Sequence, residues 1–384
     1  MKNPMIFAWL FSFSGLIWAQ TASPLFSVTP TPAPVPEGRP SNIAAEIPAD
    51  ILRENERFFT ISSENDLFGS GRDRDYTNGI RLTYFDVGRD QPALIHWLDR
   101  VLPMFQVNKT TTSYYSLGQN IYTPHDISAA DVIEGDRPYA GFLYGSIGVS
   151  TAVDNYIDDV ELTLGMVGPS ALGKQVQTEF HKLIDAEKPA GWAHQISDEP
   201  VAMLSWERTY PGLWRSKIGD SLYTRFNPHF GVTLGTVYTY ANAGFSLDLM
   251  PQDMPWQTRP MRVRPAISGS GFFETPESGH SWMLFAGFDA RAVARNIFLD
   301  GNTFKDSYSV KKEPIVYDAE IGAAYTYQRL RLSYNYSLSR HHERLGLWAE
   351  KTSPISGVSI STPALCASAL LAITGAFQAC GDKA

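Results

Sequence analysis

Hydrophobic alternation with a period of two recurs along most of this 384-residue chain, and no other feature constrains its fold as strongly. It runs through "RFFTISSEN" (57–65), "YTNGIRLTYFDVG" (76–88), "SYYSLGQNIY" (113–122) and "YAGFLYGSIGVSTAV" (139–153). It continues in "DVELTLGMVG" (159–168), "VAMLSWERTY" (201–210), "TRFNPHFGVTLGTVYTY" (224–240) and "GFSLDLM" (244–250). The last group is "SWMLFAGFDARAVARNIF" (281–298), "IVYDAEIGAAYTYQ" (315–328), "LRLSYNYSLSR" (330–340) and, weakly, "SGVSIST" (356–362). Successive side chains of a strand point to opposite faces, so each segment has one apolar face. In the eleventh, Leu330, Leu332, Tyr334, Tyr336 and Leu338 share a face, while Arg331, Ser333, Asn335 and Ser337 take the other.

Such alternation fits a soluble sandwich or barrel, or an outer-membrane barrel with lipid outside and a polar lumen. Most segments reach the ~9–11 residues that a tilted membrane strand needs. The 18 Tyr and 9 Trp suit bilayer interfaces. No internal apolar run has transmembrane-helix length. The expectation is therefore an all-β, twelve-stranded antiparallel outer-membrane β-barrel over 56–362. A formal net charge of −8 argues against nucleic acid as a partner.

The ends of the chain read differently. "MKNPMIFAWLFSFSGLIWAQ" has one Lys, then an apolar run, then Ala19, the layout of a signal peptide over 1–19. The Met5–Ala19 run is shorter than the ~20 residues a spanning helix needs. Residues 20–55 are rich in Pro and small residues and read as a linker. Residues 363–384 read as a tail past the last strand; both cysteines, Cys366 and Cys380, lie there.

One internal segment breaks the strand pattern. In "GPSALGKQVQTEFHKLIDAEKPAGWAHQI" (168–196), Leu172, Val176, Phe180 and Leu183 recur at helical spacing. Ser170 is a candidate cap and Pro189 a candidate stop, giving one α-helix within a loop. Gln177, His181 and Asp185 stack on its polar side. A histidine there can accept a proton from water near neutral pH, its ordinary pKa being ~6.5. A surface histidine on an amphipathic helix is the plainer alternative. Glu187 meets His181 only if the helix ends before it. Asn65-Asp66 in isolation is an Asx turn at a strand end. The G-x-S-x-G, H-E-x-x-H and C-x-x-C signatures are absent from the sequence.

The ordered set "ENDLF", "RDYTNG", "GQNIYTP", "GDRPYAGFLYGSIG" and "GMVGPSALGKQVQTEFHKLIDAEKPAGW" resembles the lipid A 3′-O-deacylases of Gram-negative outer membranes, from about residue 57 to 342. The resemblance implies a twelve-stranded barrel, made by the barrel-assembly machinery and working as a monomer. Its site would lie between the wall and a helix in an extracellular loop. It implies calcium-assisted hydrolysis of the 3′ acyloxyacyl ester of lipid A within lipopolysaccharide. Motif by motif, it puts the catalytic histidine at His181, the strand-end pair at Asn65 and Asp66, the threonine at Thr77 and the glutamate at Glu187. Asp66, Thr77 and Glu187 offer calcium ligands. The sequence departs where a lysine is expected after the "IYTP" stretch: none precedes Arg137. A non-catalytic pore or surface-binding barrel, and an outer-membrane phospholipase, are the competing functions.

Overall fold

The computed structural model describes residues 57–65, 75–87, 93–101, 106–108, 110–251, 258–260, 262–263, 276, 278–340 and 352–363. The expected signal peptide, linker and tail, both cysteines and Asp66 lie outside these residues.

Among the described residues, alternation becomes thirteen strands in one antiparallel sheet. They are β1 (Arg57–Asn65), β2 (Asp75–Val87), β3 (Thr112–Thr123), β4 (Ala140–Val153), β5 (Tyr156–Val167), β6 (Glu199–Thr209) and β7 (Trp214–Ile218). β8 (Leu222–Gly235), β9 (Tyr238–Met250), β10 (His280–Asn296), β11 (Ile315–Tyr327), β12 (Leu330–Arg340) and β13 (Thr352–Pro363) complete the set. β1 pairs with both β2 and β13, and β6 pairs with both β5 and β8, so the sheet closes on itself. The five-residue β7 runs along the first half of β8 and prolongs the line of β6. The barrel wall therefore has twelve staves, as expected. Among the described strands, closure leaves only the short β7 paired on one side.

Segment 224–240 reads as one strand in the sequence. In the structure Thr236 and Val237 turn the chain there, dividing it between β8 and β9. A second helix, α1 (Ala93–Val101), not expected above, lies in the β2–β3 connection, where Leu94, Trp97, Leu98 and Val101 recur at helical spacing.

The two faces of the wall differ as the alternation requires. Outward positions expose large apolar side chains, including Leu117, Leu234 and Ile321 at 60%, 61% and 62%. That is a lipid-facing surface. Inward positions are polar and paired. Arg81 donates to both carboxylate oxygens of Glu161 at 3.0 Å and to Ser116 at 2.9 Å. Arg225 meets Asp248 at 2.9 Å, and His229 meets Asp289 at 3.0 Å. Pairing is what makes these buried charges tolerable, because an unpaired one would lose its hydration without compensation.

The β9–β10 connection folds back into the lumen. Arg331, the second residue of β12, donates to the Thr258 carbonyl at 2.6 Å. Arg259 reaches Glu320 at 2.9 Å; Arg262 bridges Glu320 at 3.0 Å and Glu64 at 3.1 Å. The Val263 amide also donates to Glu64 at 3.1 Å, and the Tyr144 hydroxyl donates to the Val263 carbonyl at 3.0 Å. This segment thereby braces β1, β4, β11 and β12 from within. It climbs to Glu64, one residue short of the end of β1.

Candidate active site on the outer wall

Strand parity decides which rim residues point out of the barrel. Thr60, Ser62 and Glu64 alternate inward on β1, so Ile61, Ser63 and Asn65 face outward. Asn65, at the end of the strand, is nevertheless only 4% exposed. Its Cα partner across β2 is Asn78.

A β-bulge re-aims Thr77. Tyr76 pairs with Tyr122 and Asn78 with Ile121, leaving Thr77 as the extra residue between them. Bulges of this kind turn a side chain away from its regular face and recur beside active sites. Tyr76 stays on the inner side, where a Cβ on Gly79 would run into its hydroxyl. Thr77 Oγ1 instead meets Thr123 Oγ1 at 2.6 Å, and both residues are buried. Thr123 closes β3 and belongs to the "YTP" stretch. Sequence reasoning did not select it, although it shares the outward parity of Gln119 and Ile121.

Helix α2 (Gly173–Ile184) lies over this wall. Its approach depends on small residues. A Cβ on Gly141 of β4 would sit 3.1 Å from the Gly173 nitrogen and 3.2 Å from Ala171 Cβ. Gln119 of β3 donates to the Ala171 carbonyl at 2.7 Å, and the Gly168 amide donates to the Gly141 carbonyl at 3.0 Å. Trp192 holds the helix on its wall-facing side: its indole N–H donates to Gln177 Oε1 at 2.8 Å, and its ring packs on Tyr139. Ile121 and Ile127 complete that buried cluster.

Two sequence expectations about α2 are corrected. Ser170 does not cap it: Ser170 sits in a 3₁₀ turn, and its amide and hydroxyl donate to Asp198 at 2.7 and 2.9 Å. Pro189 does not stop it: the helix ends at Ile184, where Asp185 takes a left-handed conformation with φ 53°. That early stop brings residue 187 back to the helix. His181 Nδ1 lies 2.5 Å from the Glu187 carbonyl oxygen. A carbonyl can only accept, so Nδ1 carries the proton and Nε2 holds the lone pair of the neutral ring. Glu187 thus acts on His181 through its backbone; its carboxylate is exposed.

His181 is 6% exposed and Gln177 3%, so α2 turns its polar stripe inward. The surface-histidine alternative does not describe this residue. Asn65, Thr77 and Thr123 gather on the outward rim of β1–β3, and α2 packs against β3 and β4 beside them. The donors at this rim are amide and hydroxyl oxygens, a hard set that suits calcium better than a thiophilic metal. In the loop after β3, where the departure from the expected lysine falls, Asp126 stands two residues past Pro124. The Ser128 hydroxyl and amide hold its carboxyl below the usual range.

A closed barrel with an apolar outer belt, and a polar rim site under a helix outside the lumen, defines an outer-membrane barrel protein. The chain belongs to the LpxR family: the model described as "Outer membrane protein LpxR" matches residues 9–344. LpxR from Salmonella typhimurium is similar in structure at 20% identity and a TM-score of 0.63, over 79% of this chain and 99% of that one. The β domain of the Bordetella autotransporter BrkA aligns at 9% identity over 80% of this chain and 98% of that one. Its TM-score is 0.38, too low to carry an argument. No curated protein matches the sequence significantly.

Proposed function

We propose that this protein is a lipid A 3′-O-deacylase, hydrolysing the ester that joins an acyloxyacyl group to the 3′ position of lipid A. Family membership supports the reaction class. The observation that carries the reading is the buried His181, its Nδ1 fixed by the Glu187 carbonyl and its Nε2 left as the basic nitrogen.

In this mechanism His181 Nε2 takes a proton from water as the water oxygen bonds to the ester carbonyl carbon. The bond from that carbon to the sugar 3′ oxygen then breaks, and His181 returns the proton to the departing oxygen. The products are the free acyloxyacyl carboxylic acid and a sugar hydroxyl, and no acyl-enzyme is required. Asn65 orients the water or donates to the developing oxyanion. The oxygens of Asp66, Thr77 and Glu187 would hold a calcium ion, which when bound would supply positive charge to that oxyanion. Thr123 holds the Thr77 hydroxyl in place.

The lumen argues against a pore. Many of its charges are paired, and residues 258–260 and 262–263 are tied to four staves across it. Purified protein in lipid A-containing vesicles tests the reaction. Release of the 3′ acyloxyacyl group supports it, while cleavage of glycerophospholipid alone reassigns the protein as a phospholipase.

A further inference from the structure

The amphipathic helix α2 is mounted opposite to the usual way. A surface helix ordinarily buries its apolar stripe. Here Gln177 and His181 face the wall, while Leu172, Val176 and Leu183 are 48%, 44% and 81% exposed. At about 100° per residue, Val176, Phe180 and Leu183 fall on one flank, roughly a quarter-turn from the buried face. Lys174, Gln175, Glu179 and Lys182 occupy the rest of the exposed surface, with Lys182 and Glu179 paired at 2.7 Å.

The position of the helix says what covers that flank. α2 begins on the outer wall, where Gln119 holds the Ala171 carbonyl. Two residues down the same face of β3, about 7 Å along the strand, Leu117 is 60% exposed. On β5, Leu164 is 56% exposed. α2 thus begins at the upper margin of the barrel's lipid-facing belt, and its apolar flank offers the same chemistry there. Lys174 and Lys182, on the opposite flank, match the charged layer beyond the acyl chains.

We propose that the apolar flank of α2 is immersed in the acyl-chain margin of the outer leaflet, so that the helix is an interfacial anchor as well as the carrier of His181. The occupant is bulk membrane lipid. The anchor holds the loop at the height where ester bonds of membrane lipids lie, and access to the site is lateral from the leaflet.

Site-directed spin labelling tests this without relying on catalysis, so its failure leaves the deacylase reading standing. In a Cys366→Ser/Cys380→Ser background, labels are placed by Val176→Cys, Leu183→Cys and Lys182→Cys, with Leu117→Cys as a membrane reference. Each protein is reconstituted in lipid vesicles and checked for heat-modifiable barrel migration. Labels at 176 and 183 should collide with oxygen far more than with a water-soluble nickel chelate, as the label at 117 does. The label at 182 should show the reverse preference, at least several-fold. Nickel accessibility at 183 equal to that at 182 overturns the proposal. Spin–spin broadening at 183 that disappears on dilution with unlabelled protein also overturns it, since a second copy would then cover the flank.

Discussion

Gly141 offers a sharp test of how the site is assembled, because it is the place where α2 touches the barrel wall. A Cβ there would stand 3.1 Å from Gly173 N, 3.2 Å from Ala171 Cβ and 3.3 Å from Gly173 Cα. Unstrained contacts between such atoms are about 3.5–4.0 Å. Gly141→Ala therefore needs a few tenths of an ångström of movement, and Gly141→Val, with two further methyls, needs about 1 Å. Overpacking of this size costs about 1–3 kcal/mol, and it falls on the loop because the strand is held by β3 and β5 on both sides. His181 rides on the displaced helix. A misplacement of about 1 Å in a catalytic group can lower the rate on the order of 10²-fold. The assay is the deacylation rate of purified protein in vesicles, with heat-modifiable migration as the folding control. Gly145→Ala, on the same strand, is the matched control: its Cβ would meet only Ser116 O, at 3.7 Å, and its rate should be unchanged. A Gly141→Val protein with wild-type rate would refute the idea that this contact sets the position of His181.

Four other perturbations have definite expectations. Thr123→Val leaves the buried Thr77 hydroxyl without its 2.6 Å partner, a loss of about 1–3 kcal/mol; activity should fall, and Thr123→Ser should restore it. Arg262→Ala leaves Glu64 and Glu320 without their shared guanidinium, which should cost about 3–5 kcal/mol in denaturant unfolding. Arg259→Ala/Arg262→Ala should also admit ion current in planar bilayers where the wild type carries none; silent bilayers would mean that these bonds do not hold the lumen closed. Chelation of calcium should abolish hydrolysis and its return should restore it, whereas full activity in chelator would remove calcium from the mechanism.

The wall was legible because lipid and lumen impose opposite chemistry on alternate residues. The eleventh segment shows this directly: Leu332, Tyr334 and Leu338 are exposed while Arg331, Ser333 and Ser337 are buried. What alternation cannot show is where a strand turns, since "TLGTVYTY" keeps its period through the tight turn at 236–237. β7 was missed because five residues carry too little pattern. The helix was found from its spacing, yet its orientation was not, because a stripe of leucines implies water on the other side only in a soluble protein. Ser170 looked like a cap until the fold placed Asp198 beside it. Asn65, Thr77, His181 and Glu187 came from motif resemblance. The bulge at Thr77, the Thr123 hydroxyl and the use of a Glu187 carbonyl rather than its carboxylate are consequences of register and a left-handed turn, which short motifs do not encode.

The central claim is that His181 activates water to remove the 3′ acyloxyacyl group. It is tested most directly by lipid A mass spectra from Gram-negative cells producing either the wild type or His181→Ala at matched levels of folded barrel. The wild-type spectrum should lose the mass of the 3′ acyloxyacyl group, and the His181→Ala spectrum should match that of cells without the protein. An unchanged wild-type spectrum, or the same loss with His181→Ala, would contradict the account.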